Sequence, residues 1–263
     1  MPRPVEPGFI GSSVSAMKEL ASGLVLEDGR RPVVGGPVVG GRSAVVGWAL
    51  VGTAVGLLLL LLDVRASGNG IVRPIQAGTE GPSAEVVRRD FPTANLRDDR
   101  GLDGQQFYAI ARNPWHPDEV APHLDSPRYR YQRPLLSVAA WLLHPSGGGR
   151  GLVFAMVAVN LVGLFVGGVA LGSIARRQGG PPWVAGLYPL LPGAFWSLIG
   201  GVADGLAVSL SLVTIALVLA GRNRLACCAA VAAVLTRETT ILVPLALALA
   251  GRRRSDIALV AAP

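Results

Sequence analysis

Long apolar runs alternate with short polar breaks along this chain, and the run lengths define its first set of elements. Ala44–Leu62 is nineteen residues without a charge, close to the ~20 needed to cross a bilayer's hydrocarbon layer. It runs too long and starts too far from the N-terminus for a signal peptide, so it reads as a first transmembrane helix. Leu152–Ala175 is a second uncharged span. Trp183–Gly221 is about twice a spanning length, broken by Gly200–Gly201 and Asp204 and bent by Pro189 and Pro192. It is expected to form a helical hairpin with Asp204 near its tip. Leu225–Ala250 is interrupted by "TRET" (236–239), which fits a second hairpin with short re-entrant arms or, alternatively, one tilted helix. Pro134–Leu143 would extend only about 15 Å as a helix. With Trp141, Arg133 and His144 around it, this segment fits an interfacial helix. The chain ends in "SDIALVAAP", the opening of a further apolar segment, so the bundle expected over 152–263 reads as C-terminally incomplete.

The polar stretches complete the plan. Residues 1–43 mix Gly, Pro, Val and charge without a sustained period and read as a disordered cytoplasmic tail, with a short helix possible over Ser15–Leu26. "GGPVVGG" (35–41) lacks the Lys-Ser/Thr ending and preceding strand of a nucleotide loop, which leaves a linker. Residues 63–132 hold ten acidic and nine basic residues and form one long polar segment. Its length exceeds the ~60 residues within which loop arginines dictate orientation, so it fits an extracytoplasmic loop. Residues 133–151 then supply the interfacial helix and a linker. Within the second span, Gly163-x-x-x-Gly167 and Gly168-x-x-x-Gly172 permit close helix packing. Asn160 needs an interhelical partner there, with substrate contact as the lesser alternative.

Composition agrees with an all-α, polytopic membrane protein: 51% of residues are hydrophobic and 16% charged, against about a quarter charged in soluble domains. A net charge of +7 invites a nucleic-acid reading, but no basic stripe with interleaved aromatics accompanies it. The positive charges instead form short clusters between apolar runs, at Arg176–Arg177, Arg222 with Arg224, and Arg252–Arg254. That distribution is what the positive-inside rule produces in a multi-pass membrane protein. It puts the N-terminus inside, 63–132 outside, and both Asp204 and Arg237–Glu238 at outer tips. Membrane lipids are therefore expected partners and nucleic acid is not. Cys227 and Cys228 are adjacent in an apolar run, which suits small packing residues rather than a disulfide framework or zinc site.

Ionisable residues at a membrane edge are costly and point to function, so Asp204, Arg237 and Glu238 are candidates. A helix-end charge and a stabilising salt bridge are the structural alternatives. In "GLDGQQFYAIARNPW" (101–115) a short helix starting at Asp103 would be capped by its carboxylate, with Phe107, Ile110 and Ala111 on one buried face. The same carboxylate, held by local structure, could instead deprotonate a hydroxyl. "DDRGLDGQQFYAI" fails the EF-hand pattern because Gly101 and Ile110 stand at ligand positions. The loop also has no D-x-D, and His116 and His123 show no ligand spacing. No cofactor is called for, and a divalent metal is a secondary option. "RYRYQR" (128–133) alternates arginines with aromatics, a chemistry suited to phosphate and sugar or to lipid headgroups.

Three motifs in order, "LDGQQFYAIARNPW", "LDSPRYRYQRPLLSVAAWLL" and "LTRETTILVPLALAL", resemble a family of bacterial polytopic proteins of cell-surface glycopolymer formation. That family is similar in layout to membrane-embedded GT-C glycosyltransferases, and the resemblance covers roughly residues 95–250. It implies a long first external loop, interfacial helices, a polyprenyl-phosphate-linked sugar as donor, and a glycan or lipid acceptor. It implies Asp103 as the catalytic acidic residue with Asp99 second, and Arg130, Arg133 and Arg237 as candidates for the lipid phosphate. Gln105, Tyr108, Asp204 and Glu238 complete the expected substrate contacts. Unlike many GT-C members, this chain lacks an acidic pair directly after its first helix. The rival expectation is a transporter or flippase subunit for lipid-linked glycans, with Asp204 and Arg237–Glu238 as a midplane site. A non-catalytic assembly partner is a third.

Overall fold

The computed structural model describes residues 41–68 and 70–260, with side chains through residue 251, and among these the chain is all-α. Helix α1 (Arg42–Ala66) leads through a 3-10 turn (Gly70–Ile75) into a loop region of short helices. These are α2 (Ala84–Asp90), α3 (Gly104–Arg112), α4 (Pro117–Val120), α5 (Pro127–Arg130) and α6 (Leu135–Leu143). The second half comprises α7 (Arg150–Arg177), α8 (Val184–Leu187), α9 (Pro192–Gly200), α10 (Asp204–Leu219), α11 (Asn223–Thr236) and α12 (Leu242–Val260). The expected Ser15–Leu26 helix, residues 1–40 of the tail and most of the 35–41 linker lie outside the described residues.

At 25 and 28 residues, α1 and α7 are long and apolar enough to cross a membrane; at 1.5 Å per residue they extend about 37 and 42 Å. Both are uncharged through their middles, so the chain has no local reason to end either helix early. The start of α1 and the end of α7 line one cleft, whereas Asp63 near the end of α1 pairs with Arg73 of the loop. The two helices therefore run antiparallel, with the loop region at one end of the bundle.

Helix α7 is the central packing element, and its glycines are the reason. A Cβ built on Gly163 would lie 2.8 Å from Leu206 Cδ1 of α10, and one on Gly167 2.5 Å from the Tyr188 ring. On Gly168 and Gly172 it would lie 2.7 and 2.6 Å from Ala185 of α8. Both GxxxG pairs thus serve close backbone approach, one toward α10 and the other toward α8. Tyr188 closes the seam by hydrogen bonds to Gly205 O and Ser209 Oγ.

The loop region has a hydrophobic core of its own. Phe107, Tyr108, Ile110, Leu136, Leu152 and Val153 are buried together, and Ser137 Oγ donates to Phe107 O at 2.9 Å to tie α6 to α3. The apolar face expected on α3 therefore rests on protein. Helix α6 is a short helix of 9 residues, with Trp141 edge-on to exposed Trp115 at 5.6 Å between ring centroids.

Several expectations require correction. The hairpin over 183–221 has arms shorter than a span: α9 has 9 residues and α10 has 16, about 14 and 24 Å. Pro189 and Pro192 lack the N–H groups that would continue the first arm, and it breaks into a 3-10 turn at Tyr188–Leu190. The 225–250 segment is not one helix, because extended backbone at Arg237 separates α11 from the Glu238–Ile241 turn and α12. Cys227 and Cys228 are exposed rather than packed. Asn160 is buried, yet its Nδ2 has no hydrogen-bond partner among the described residues.

The Gly167→Leu substitution overfills the contact with Ser209 and Tyr188 and should cost about 2 kcal/mol or more. Thermal unfolding of the purified protein measures this; an unchanged midpoint would remove α7 from its central role.

Candidate functional site: a charge cluster at the helix tips

Asp103 occupies the position before α3, but its backbone is helical and its side chain makes no capping bond. The capping expectation fails for that reason, since an N-cap carboxylate needs non-helical backbone to reach back to the amides. The helix is instead started by Asp103 O, which accepts from Gln106 N and Phe107 N. Freed from capping, the carboxylate lies 2.6 Å from Arg130 Nη1. The contact is a close ion pair, and it contributes to the raised pKa of Arg130.

Arg130, at the end of α5, also grips Asp125 through Nε at 2.9 Å and Nη2 at 2.8 Å. Gln106 on α3 completes the unit: its Nε2 donates to Asp125 Oδ2, and Asp125 N donates to Gln106 Oε1, each at 3.1 Å. Sequence reasoning missed both Asp125 and Gln106. The available signal was "DSPRYR", where an Asp before a Ser-Pro helix start stands five residues ahead of Arg130.

A second pair lies alongside. Arg133 reaches Glu238 in bidentate fashion, Nε to Oε2 at 2.7 Å and Nη2 to Oε1 at 2.5 Å. Its guanidinium stacks 4.2 Å from the Tyr129 ring centroid and also bonds the Tyr129 hydroxyl. This contact ties the loop to the α11–α12 turn, 105 residues apart in sequence. The third pair is Arg237 with Asp204, joining that turn to the start of α10. Six of the expected site residues, Asp103, Arg130, Arg133, Asp204, Arg237 and Glu238, are thus gathered as three ion pairs.

Their burial is uneven, and that decides their chemistry. The Arg130 and Arg133 side chains are each 8% exposed, whereas Asp103 is 43% exposed and Glu238 40%. Arg130 hydrogen bonding holds the Asp125 carboxyl down to about 2, against the opposing effect of burial. Arg130 itself is raised, chiefly by its hydrogen bond to Asp125. The arginines are therefore permanently charged anchors beneath a rim of half-exposed carboxylates. Neither is free to receive a phosphate without displacing a carboxylate.

Gln105 and Tyr108 are placed inside the fold, away from this rim. Gln105 donates to Arg100 O at 2.7 Å, and its Oε1 is buried without a partner among the described residues. Tyr108 is fully buried; its hydroxyl donates to Asp90 and accepts from Gly149 N, both at 2.6 Å. Burial pushes the phenol pKa up, and the Asp90 bond adds to that. Asp90 also pairs with Arg112 at 2.9 Å, so this cluster fastens the start of α7 onto the loop core. Asp99 lies at the surface, paired with Arg97 at 2.7 Å, and that pairing lowers its pKa.

Among the described residues no group of three or more His, Cys, Asp and Glu could hold a metal ion. Between Asp103 and Asp125 stands a guanidinium, which repels a cation, so this donor set does not fit a resident divalent metal. Three clefts, of about 640, 420 and 110 Å³, open elsewhere on the molecule and include none of the clustered residues. The chain matches no protein-family model, no curated protein and no solved structure.

The Asp125 shift gives a signed prediction. Its folded pKa lies below the unfolded value near ~3.9, so its contribution is fully present above pH 4 and is lost as pH falls through about 2. The Arg130→Gln variant should move Asp125 titration up toward ~4 and shift acid unfolding to higher pH. Melting curves across pH 2–7 measure both, and superimposable wild-type and variant profiles would contradict the pairing.

Proposed function

We propose that this is a polytopic protein of the bacterial cytoplasmic membrane with a GT-C-like layout. Its charged face would transfer a sugar from a polyprenyl-phosphate donor to a glycan or lipid acceptor during cell-surface glycan assembly. The membrane part is supported by exposure. Only 28% of the most apolar window of α1 is buried, and Trp48, Leu50, Leu58 and Leu61 on it face outward, as do Phe154 and Val162 on α7. Water-facing surfaces of monomeric proteins rarely carry apolar patches on this scale, whereas lipid covers them at no cost. The short helices α9–α11 fit re-entrant or tilted segments, which are tolerated where protein surrounds their ends.

The observation that carries the activity is the Asp103 carboxylate, half-exposed, unspent on capping and fixed beside Arg130. In the proposed step the acceptor hydroxyl oxygen forms a bond to the anomeric carbon of the sugar. The bond from that carbon to the phosphate oxygen breaks, and the phosphate leaves with the electron pair. The acceptor's proton passes to Asp103. Protonating Asp103 removes the partner of Arg130 Nη1, and its charge then helps to offset that of the departing phosphate. Arg237, more exposed than the two buried arginines, is the guanidinium positioned to meet the phosphate first by exchange from Asp204. Glu238 and Arg133 hold the outer turn in place.

The saturation of Arg130 and Arg133 favours a second reading, in which the cluster is a gate for moving a lipid-linked glycan or a non-catalytic docking face. A deletion strain carrying Asp103→Asn or Arg237→Gln protein at matched membrane levels separates the readings. The transferase reading expects Asp103→Asn to lower surface glycan at least a hundredfold, within the usual range for removing a general base. Full glycan with Asp103→Asn would end the base assignment, and loss confined to Arg237→Gln would favour transport.

A further inference from the structure

The end of the bundle opposite the charge cluster carries a cleft of about 640 Å³ between the start of α1 and the ends of α7 and α10. Arg42, Arg176, Arg177 and Arg222 line it, and among the described residues no acidic residue does. Their positions follow from the helices: arginines at the ends of α7 and α10 meet the partial negative charge of the last carbonyls, and Arg177 donates to Leu219 O. Arg42, Arg176 and Arg222 form no ion pair with any described residue. Behind these guanidiniums the walls are apolar, including Val45, Val169 and Leu217.

A soluble anion would meet the arginines but leave the apolar walls unused, and a neutral amphiphile would do the reverse. We propose that the cleft binds an anionic phospholipid, its phosphate among Arg42, Arg176 and Arg222 and its upper acyl chain against Val45, Val169 and Leu217. Guanidinium and phosphate match in bidentate geometry, and the site lies where α1 and α7 would emerge on the arginine-rich side of a membrane. The lipid would bridge three helices, α1, α7 and α10. This inference rests on the membrane reading above and is independent of the transferase assignment.

The test uses the full chain extracted from membranes in an uncharged detergent, with lipid retention read by native mass spectrometry and by thermal shift. Extraction without detergent would overturn the membrane reading and the lipid site with it. For detergent-extracted protein, phosphatidylglycerol should be retained and should raise the melting point, while phosphatidylcholine and inorganic phosphate should do neither. The Arg176→Gln/Arg222→Gln variant should bind phosphatidylglycerol roughly thirtyfold more weakly, and Arg42→Gln several-fold more weakly. Arg224→Gln, just outside the lining, should behave as wild type. Equal retention of phosphatidylcholine, an equal shift from inorganic phosphate, or undiminished phosphatidylglycerol binding by both cleft variants would each overturn the lipid site and leave the membrane reading intact.

Discussion

Gly104 lies where three pieces of backbone converge. A Cβ there would sit 2.3 Å from Gly200 O and 2.7 Å from Ile75 O, so no larger residue fits without moving one of the segments. The neighbouring Gly201 adopts a left-handed conformation and would likewise place a Cβ 2.2 Å from Pro74 O. This contact seats the first turn of α3 against the tip of α9. Asp103 precedes Gly104 and Asp204 begins the helix after Gly201, so the same contact sets where both carboxylates stand. Gln76 reinforces it by accepting from Arg73 and Arg97 while donating to Ile199 O.

Upon this seat the electrostatics become asymmetric. Burying a guanidinium is costly unless its charge and donors are matched, and both buried arginines are matched by carboxylates reaching in from the rim. The cations cannot titrate at any working pH. Proton exchange at this face would therefore fall to the carboxylates, with the arginines supplying fixed charge. The arrangement also explains how a sparsely charged chain brings distant segments together: the Arg133–Glu238 and Asp204–Arg237 pairs tie the loop, α10 and the α11–α12 turn at their charged ends. The glycine seams of α7 supply the close packing behind them.

The two ends of the bundle are chemically opposed. At the loop end each clustered arginine has a carboxylate partner, whereas at the far end four arginines line a cleft that no carboxylate of the described residues lines. A membrane protein oriented by its short basic clusters would place the latter against the cytoplasmic leaflet. In that orientation the matched cluster would face the opposite side.

The amino-acid sequence by itself determined the long helices, because uninterrupted apolar runs and GxxxG spacing are local properties of the chain. It also marked Asp103, Arg130, Arg133, Asp204, Arg237 and Glu238, since charge in a sparsely charged chain stands out. It could not say which acid meets which base. Asp125 and Gln106 were hidden because their importance comes only from contact with Arg130. Gln105 and Tyr108 looked like surface chemistry in a polar motif, but tertiary packing turned both inward. The cysteines looked internal, and packing left them outside. Side-chain direction on a short helix depends on what covers each face, and for α3 that cover comes from α6, α7 and the loop. Partner choice among ions, and burial among polar residues, are settled by long-range geometry that no local pattern encodes.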